Sequence, residues 1–367
     1  MASDSIAAVE ADLHRQRRGN NFPTTIRLAV IGAGFMSRRR VRAFLATGRV
    51  QLVGIAARRL SSAQTLGAEF DCGACYEDPL RLRECAPDAV LIEVPHSAQD
   101  ALACWTIEQG WPTLIGGPLS GSVHNGERIL QLAQANNVLV ELGFEARYKA
   151  VWETAREWIL AGRIGRPIAI QSIALWDGHP GSWYYDEAAS GGMPLTHMSY
   201  AFVNPLRWLF GNPLRVSAFA NRIRHTALHH VREETCVANL LFPHEIVCSM
   251  LAGYVKPGGA ESWQISIVGS EGLLELRPTE MDNGSLCLYR GSEVEDLHFV
   301  DAQDAFVAQA NAFLDSIEGN PRCRNHPDDA LNDLRVTSAI ADSAREHRTI
   351  ELFRQAVSLP SANGIPA

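Results

Sequence analysis

The stretch from Ile26 to Arg58 constrains this chain more than any other. An apolar run, a glycine turn, a helical segment and a second apolar run follow one another directly. Leu28-Ala29-Val30-Ile31 reads as a buried strand, and Gly32-Ala33-Gly34-Phe35-Met36-Ser37 as the turn that ends it. Val41, Ala43, Phe44 and Leu45 give the helix, and Val50 to Ala56 the second strand. The first glycine permits the sharp turn. The second lets the backbone approach a pyrophosphate, which then sits on the free N–H groups and positive dipole end of the helix. Ser37 stands where a third glycine is usual and is small enough for close helix–strand packing. The pattern predicts a dinucleotide site built on Gly32, Gly34, Phe35 and Met36.

The end of the second strand bears on which dinucleotide. An acid there accepts hydrogen bonds from the ribose 2′-hydroxyl of NAD, whereas arginine suits the 2′-phosphate of NADP. This chain has Ala57-Arg58-Arg59, with Arg38 and Arg39 at the start of the preceding helix. A charge-assisted arginine–phosphate contact contributes about 1.5–3 kcal/mol. Arg58, Arg59 and Arg38 therefore favour NADP(H) over NAD(H).

Composition narrows the remaining classes. A net charge of −8 argues against broad nucleic-acid or anionic-membrane binding, and no apolar run reaches membrane-spanning length. Residues 1–24 are polar, mixed in charge and lack the apolar centre of a secretory leader, so they read as an extension or docking arm. Of eight cysteines only Cys72 and Cys75 form a C-x-x-C pair, and no second pair lies at zinc spacing. The histidines and acids at His225, His229, His230, Glu233 and Glu234 form no recognised ligand set, so no metal is expected. A reducing cytoplasm is the expected compartment. Lysine occurs only at Lys149 and Lys256, so any chemistry needing an amine must use one of them.

Strand and helix alternate up to about residue 147, which predicts an α/β Rossmann domain over 25–147. From about Val151 the rhythm changes. A helix leads to Pro167–Leu175, and long β-like runs follow at Leu214–Ile223, Glu234–Phe242, Ile246–Tyr254, Trp263–Val268 and Leu273–Leu276. Helices are expected from Met193 to Leu209, near Ala305–Ile317 and over Asp328–Glu346. These features predict an α+β domain over 148–352 with a large, mostly antiparallel open sheet, then a tail over 353–367.

Motifs spread from Ile26 to Leu352 resemble the glucose–fructose oxidoreductase, inositol dehydrogenase and rhizopine-catabolism (Gfo/Idh/MocA) family. They are Gly32-Ala33-Gly34, Pro95, Gly117-Pro118-Leu119, Gly143-Phe144 with Arg147-Tyr148, Gly191-Gly192 and Leu209-Phe210-Gly211. Further on come Gly269-Ser270-Glu271-Gly272 and Asp329-Ala330-Leu331 before a helix containing Ser343. The resemblance implies a nicotinamide cofactor, a substrate held between the two domains, and homodimers or homotetramers formed through the C-terminal sheet. It places Pro95, His96, Gly117 and Pro118 beside the cofactor.

The departures matter as much. The family's Glu-Lys-Pro is Gly116-Gly117-Pro118 here, and its helical aspartate and histidine are His197 and Ala201. His96 follows Pro95 where asparagine is common, and Gln99 stands where histidine is common. Loss of a positioned acid or base costs about 10²–10⁴-fold in rate, so ordinary sugar-alcohol chemistry is disfavoured. His197, one helical turn from Ala201, is the candidate acid–base group, with Tyr148 and His96 as orienting partners. Tyr148 also offers a proton donor, a reading that an interfacial packing role outweighs, and Lys149 is expected to begin an exposed helix. Trp176, His179 and Tyr184, with Arg147, are the candidate substrate contacts. Three functions stay open: reduction of an imine or ketone by NADP(H), a non-redox lyase, hydrolase or cyclase, and nucleotide binding without catalysis.

Overall fold

The computed structural model describes residues 25–175, 183–190, 202–222, 234–253, 262–279 and 283–353. The first half builds β1 (Ile26–Ile31), α1 (Phe35–Ala46), β2 (Val50–Ala56), α2 (Leu60–Glu69), β3 (Cys75–Tyr76) and β4 (Ala89–Ile92). It continues with α3 (His96–Glu108), β5 (Thr113–Ile115), α4 (Val123–Asn136) and β6 (Val140–Leu142). β4, β5 and β6 are buried along their whole length, as strands of a parallel sheet covered on both faces must be. The sheet runs β3-β2-β1-β4-β5-β6, and β1 pairs in parallel with both β2 and β4. Strand order reverses between β1 and β4, so a crevice opens there beyond the carboxyl ends of the strands.

The second half contains α5 (Ala150–Leu160), β7 (Pro167–Leu175), α6 (Glu187–Ser190), α7 (Asn204–Phe210), β8 (Arg215–Asn221), β9 (Thr235–Leu241) and β10 (Val247–Gly253). After these come β11 (Ser262–Gly269), β12 (Leu273–Arg277), β13 (Ser285–Arg290), β14 (Glu293–His298), α8 (Ala305–Ile317), α9 (Pro327–Glu346) and β15 (Ile350–Glu351). The nine strands lie in the order β14-β13-β12-β11-β7-β10-β9-β8-β15. Within this sheet β7 and β10 pair in parallel, and every other neighbouring pair of its described strands is antiparallel. One face buries alternate side chains such as Cys236, Ala238 and Leu240 under Trp152, Leu206 and Ile340. The other face leaves Phe219, Val237, Val247 and Val268 exposed.

The expected strands appear within one or two residues of their sequence-read limits. The β13–β14 hairpin was not expected. Its second strand, Glu-Val-Glu-Asp-Leu-His, is almost wholly exposed at the sheet edge, so it carries no inward apolar alternation.

α8 and α9, read from sequence as part of the second domain, return to the first. Ala310, Phe313 and Leu314 complete a core with Val41 and Phe44, and the Phe44 and Phe313 rings meet edge to face at 6.0 Å. Ala330, Leu331 and Leu334 join Ile115, Leu119 and Ile129. A cut at residue 147 therefore separates the two sheets but not their cores.

Candidate functional site

The two glycines of the turn are bare for different reasons, and only the first lacks room for a larger residue. Gly32 has φ +116°, and a Cβ there would lie 2.7 Å from the Glu93 carbonyl carbon, with the oxygen closer still. Gly34 caps α1 in an extended conformation, φ −87° and ψ −173°, and its N–H donates to Ser37 Oγ at 3.1 Å. Gly34 is exposed, with no atom within 4 Å of where its Cβ would stand. The first turn of α1 carries no acid. An open helix N-terminus with a bare glycine cap and no negative charge fits a pyrophosphate. Phe35, 61 % exposed, and half-buried Met36 follow at the mouth.

Arg58 and Arg59 are exposed just past β2. Arg38 is already engaged: its Nε donates to Glu69 Oε2 at 2.5 Å, and Arg42 reaches the other carboxylate oxygen at 2.8 Å. Glu69 therefore competes with any phosphate for Arg38.

On the far side of the crevice, buried Gln99 fixes the end of β5. Its Nε2 donates to the carbonyls of Gly116 at 3.0 Å and Pro118 at 2.8 Å. Gly117, at φ +90°, presents no side chain there. Half-buried Pro95 caps α3 and places His96 in its first turn. The His96 ring lies edge-on to Trp183 at 5.0 Å, and Nδ1 faces the Ser190 carbonyl at 2.9 Å, which selects the tautomer with its proton on Nδ1. His96 thus ties the nucleotide domain to the segment 183–190.

Burial lowers the His96 pKa to about 4 from an ordinary value of 6.5. Between those values the unfolded chain binds a proton that the folded one refuses, so stability is full above pH 6.5 and falls as pH drops toward 4. The loss is roughly 3 kcal/mol at the acid end. Urea midpoints measured from pH 7 to pH 4.5 should fall less steeply for His96→Gln. Superimposable profiles would refute this account of His96.

Three sequence expectations are corrected here. Tyr148 is no proton donor to a substrate. It is buried, its hydroxyl donates to Glu141 Oε1 at 2.8 Å and accepts the Arg324 N–H at 2.8 Å, and burial beside that carboxylate raises its pKa far out of the working range. Arg147 is no substrate contact. It is buried, pairs with Asp329 Oδ2 at 2.7 Å and donates to the carbonyls of Arg324 and Asn204. Lys149 does begin a helix, α5, but it is 4 % exposed, its Nζ donating to the Thr279 carbonyl at 2.5 Å with Glu145 Oε1 at 3.8 Å. The short turn Glu145–Tyr148 draws all three inward.

His197, Trp176, His179, Ala201 and the cluster His225, His229, His230 and Glu233 lie outside the described residues. Tyr184 sits in the turn Trp183–Tyr185. Among the described residues no group of three histidines, cysteines or acids could hold a metal ion, and no helix is long and apolar enough to cross a membrane. The sequence reading missed Glu93, whose single acid among apolar neighbours at a strand end was the available signal.

Residues 26–144 match the oxidoreductase family with an NAD-binding Rossmann fold, and residues 152–275 match the Gfo/Idh/MocA C-terminal domain. The chain belongs to the Gfo/Idh/MocA family. It is similar to the myo-inositol dehydrogenase of Streptomyces leeuwenhoekii, 25 % identical over 80 % of this chain and 89 % of that one. It is also similar to the inositol 2-dehydrogenase of Rhizobium meliloti, 20 % identical over 89 % and 99 %. The aldose–aldose oxidoreductase of Caulobacter crescentus shares the fold, with a TM-score of 0.81, 20 % identity, and 89 % and 100 % coverage. As a Gfo/Idh/MocA protein the chain is an NAD(P)-binding oxidoreductase. Its Gly32–Gly34 turn and the open start of α1 are the parts that would hold the cofactor.

Proposed function

We propose that this Gfo/Idh/MocA protein is an NADP(H)-preferring oxidoreductase acting on a small imine or ketone rather than on a sugar alcohol. The observation that carries the reading is the pairing of a kept nucleotide cradle with a bare Gly117 at the end of β5. When bound, the cofactor supplies or accepts the hydride. Gly32 and the α1 N-terminus hold its pyrophosphate, and Arg58 and Arg59 meet its 2′-phosphate. Gln99 fixes the peptide carbonyls at Gly116 and Pro118 that border the second half of the crevice. With no lysine at 117, the proton for the acceptor comes from water or from His197. An imine is protonated by solvent before the hydride arrives. A conjugated ketone takes the hydride at its β-carbon and then a proton from water at its α-carbon. Both tolerate that arrangement better than an alcohol, whose oxidation needs a positioned base.

Titration of intrinsic fluorescence with NADPH and NADH tests the cofactor preference. Arg58→Ala should weaken NADPH binding by about ten- to hundredfold and NADH binding by only a few-fold. Equal losses for the two nucleotides would overturn the assignment. Oxidation of NADPH by a panel of imines and ketones, against polyols with NADP⁺, tests the substrate class.

A further inference from the structure

Across the carboxyl ends of β4, β5 and β6 lies a buried ion pair. Arg40, on α1 and 2 % exposed, donates through Nε to Glu93 and through Nη2 to the Gly143 carbonyl. Its Nη1 donates to Gln309 Oε1 of α8 at 2.8 Å, and Glu145 stands 3.9 Å from Nη2. Glu93, the first residue after β4, has a side chain 8 % exposed. Burial pushes its carboxyl up, and Arg40 opposes that shift.

Two glycines make room for this pair. A Cβ at Gly143 would lie 2.6 Å from Arg40 Nη2 and 2.9 Å from the Gly116 Cα. A Cβ at Gly116 would fall inside the Glu93 carboxylate itself. Neither glycine adopts a positive φ, so space rather than backbone conformation requires it. By the observed strand order, these strand ends border the half of the crevice that receives the second nucleotide of a dinucleotide.

We propose that Glu93 and Gly116 are a reciprocal pair: the Glu93 carboxylate crosses the empty position on the neighbouring strand to hold Arg40, and the two form the floor beneath the nicotinamide half of the crevice. The reciprocity stands on packing alone, whereas the floor rests on the dinucleotide reading. Glu93 acts through Arg40 and is a positioning residue. Since a Cβ at 116 already reaches the carboxylate volume, an aspartate there can replace the acid once Glu93 is removed.

The test compares the wild type with Glu93→Ala, Gly116→Asp, the double variant and the volume-conserving Glu93→Gln. Thermal midpoints are read without nucleotide. Affinities are read for NADPH and NADH, and for the adenosine halves alone, adenosine 2′,5′-bisphosphate and AMP. Both Glu93→Ala and Gly116→Asp should lower the midpoint, the latter by crowding two carboxylates, and the double variant should stand above both. Glu93→Ala and Glu93→Gln should weaken the dinucleotides about tenfold more than the adenosine halves, with the double variant recovering most of that loss. A double variant no more stable than the weaker single one overturns the reciprocal pair. Parallel losses for dinucleotides and adenosine halves overturn the floor. A wild type that binds none of the four overturns the dinucleotide reading and the floor with it, while the midpoints still decide the pair.

Discussion

Gly34→Asp should abolish dinucleotide binding while leaving the protein as stable as before or slightly more so. Gly34 is the N-cap of α1, its backbone is already extended, and the space around its missing Cβ is empty. Aspartate is among the best N-cap residues and exceeds glycine there by a few tenths of a kcal/mol. The same carboxylate would stand where the pyrophosphate is expected to rest. Two like charges about 4 Å apart repel by about 4 kcal/mol at the effective dielectric of a protein surface, enough for a hundredfold loss or more. Helix stability and ligand affinity should thus move in opposite directions from one substitution. A fluorescence titration beside a thermal melt reads both, and unchanged affinity would show that the ligand does not approach this turn.

Arg207→Met should produce the largest loss of stability. Arg207 is buried on α7 and pairs with Asp333 of α9 and with Asp329 Oδ1 at 2.7 Å. Its Nε also donates to Asn212 Oδ1 at 2.8 Å. Asp333 is fully buried, and Asn204 Nδ2 donates to its other oxygen at 2.9 Å. Burial pushes the Asp333 carboxyl up and Arg207 opposes that shift. Removing the cation strands a buried carboxylate, which costs about 3–5 kcal/mol. In a chain of this size that is a fall in melting midpoint on the order of 10 °C. Adding Asp333→Asn should return part of the loss, because the stranded charge is then gone. Urea unfolding of the three proteins measures this. A double variant less stable than Arg207→Met would mean that the carboxylate retains another partner.

The nucleotide half was legible in the sequence because its information is local. Leu28 to Ile31 are buried on both faces, so the strand reads as an apolar run, and the glycines answer to a turn only a few residues long. The second sheet was legible in most of its strands with one covered face, although Ser285–Arg290, which buries only Leu286 and Leu288, was missed. Glu293–His298, where neither face is covered, was missed as well. The side chains after β6 were misread for a different reason. Tyr148 answers to Arg324, Arg147 to Asp329 and Lys149 to Thr279, contacts that span well over a hundred residues and leave no periodic trace. Glu93 belongs to the same class. A lone acid at a strand end does not announce that its partner is Arg40 or that Gly116 was left empty for it. The sequence shows which positions are bare, and the fold shows what moves into them.

The return of α8 and α9 has a consequence for how the chain is made. The ribosome delivers the nucleotide sheet first, yet Val41 and Phe44 stay uncovered until Phe313 and Leu314 emerge, and Ile129 until Leu331 and Leu334 follow. The intervening nine-stranded sheet must therefore be translated while the older domain still shows apolar surface to the cell. The sheet made earlier is thus closed only by helices made much later. During that interval the nascent protein offers chaperones a site that the mature enzyme conceals.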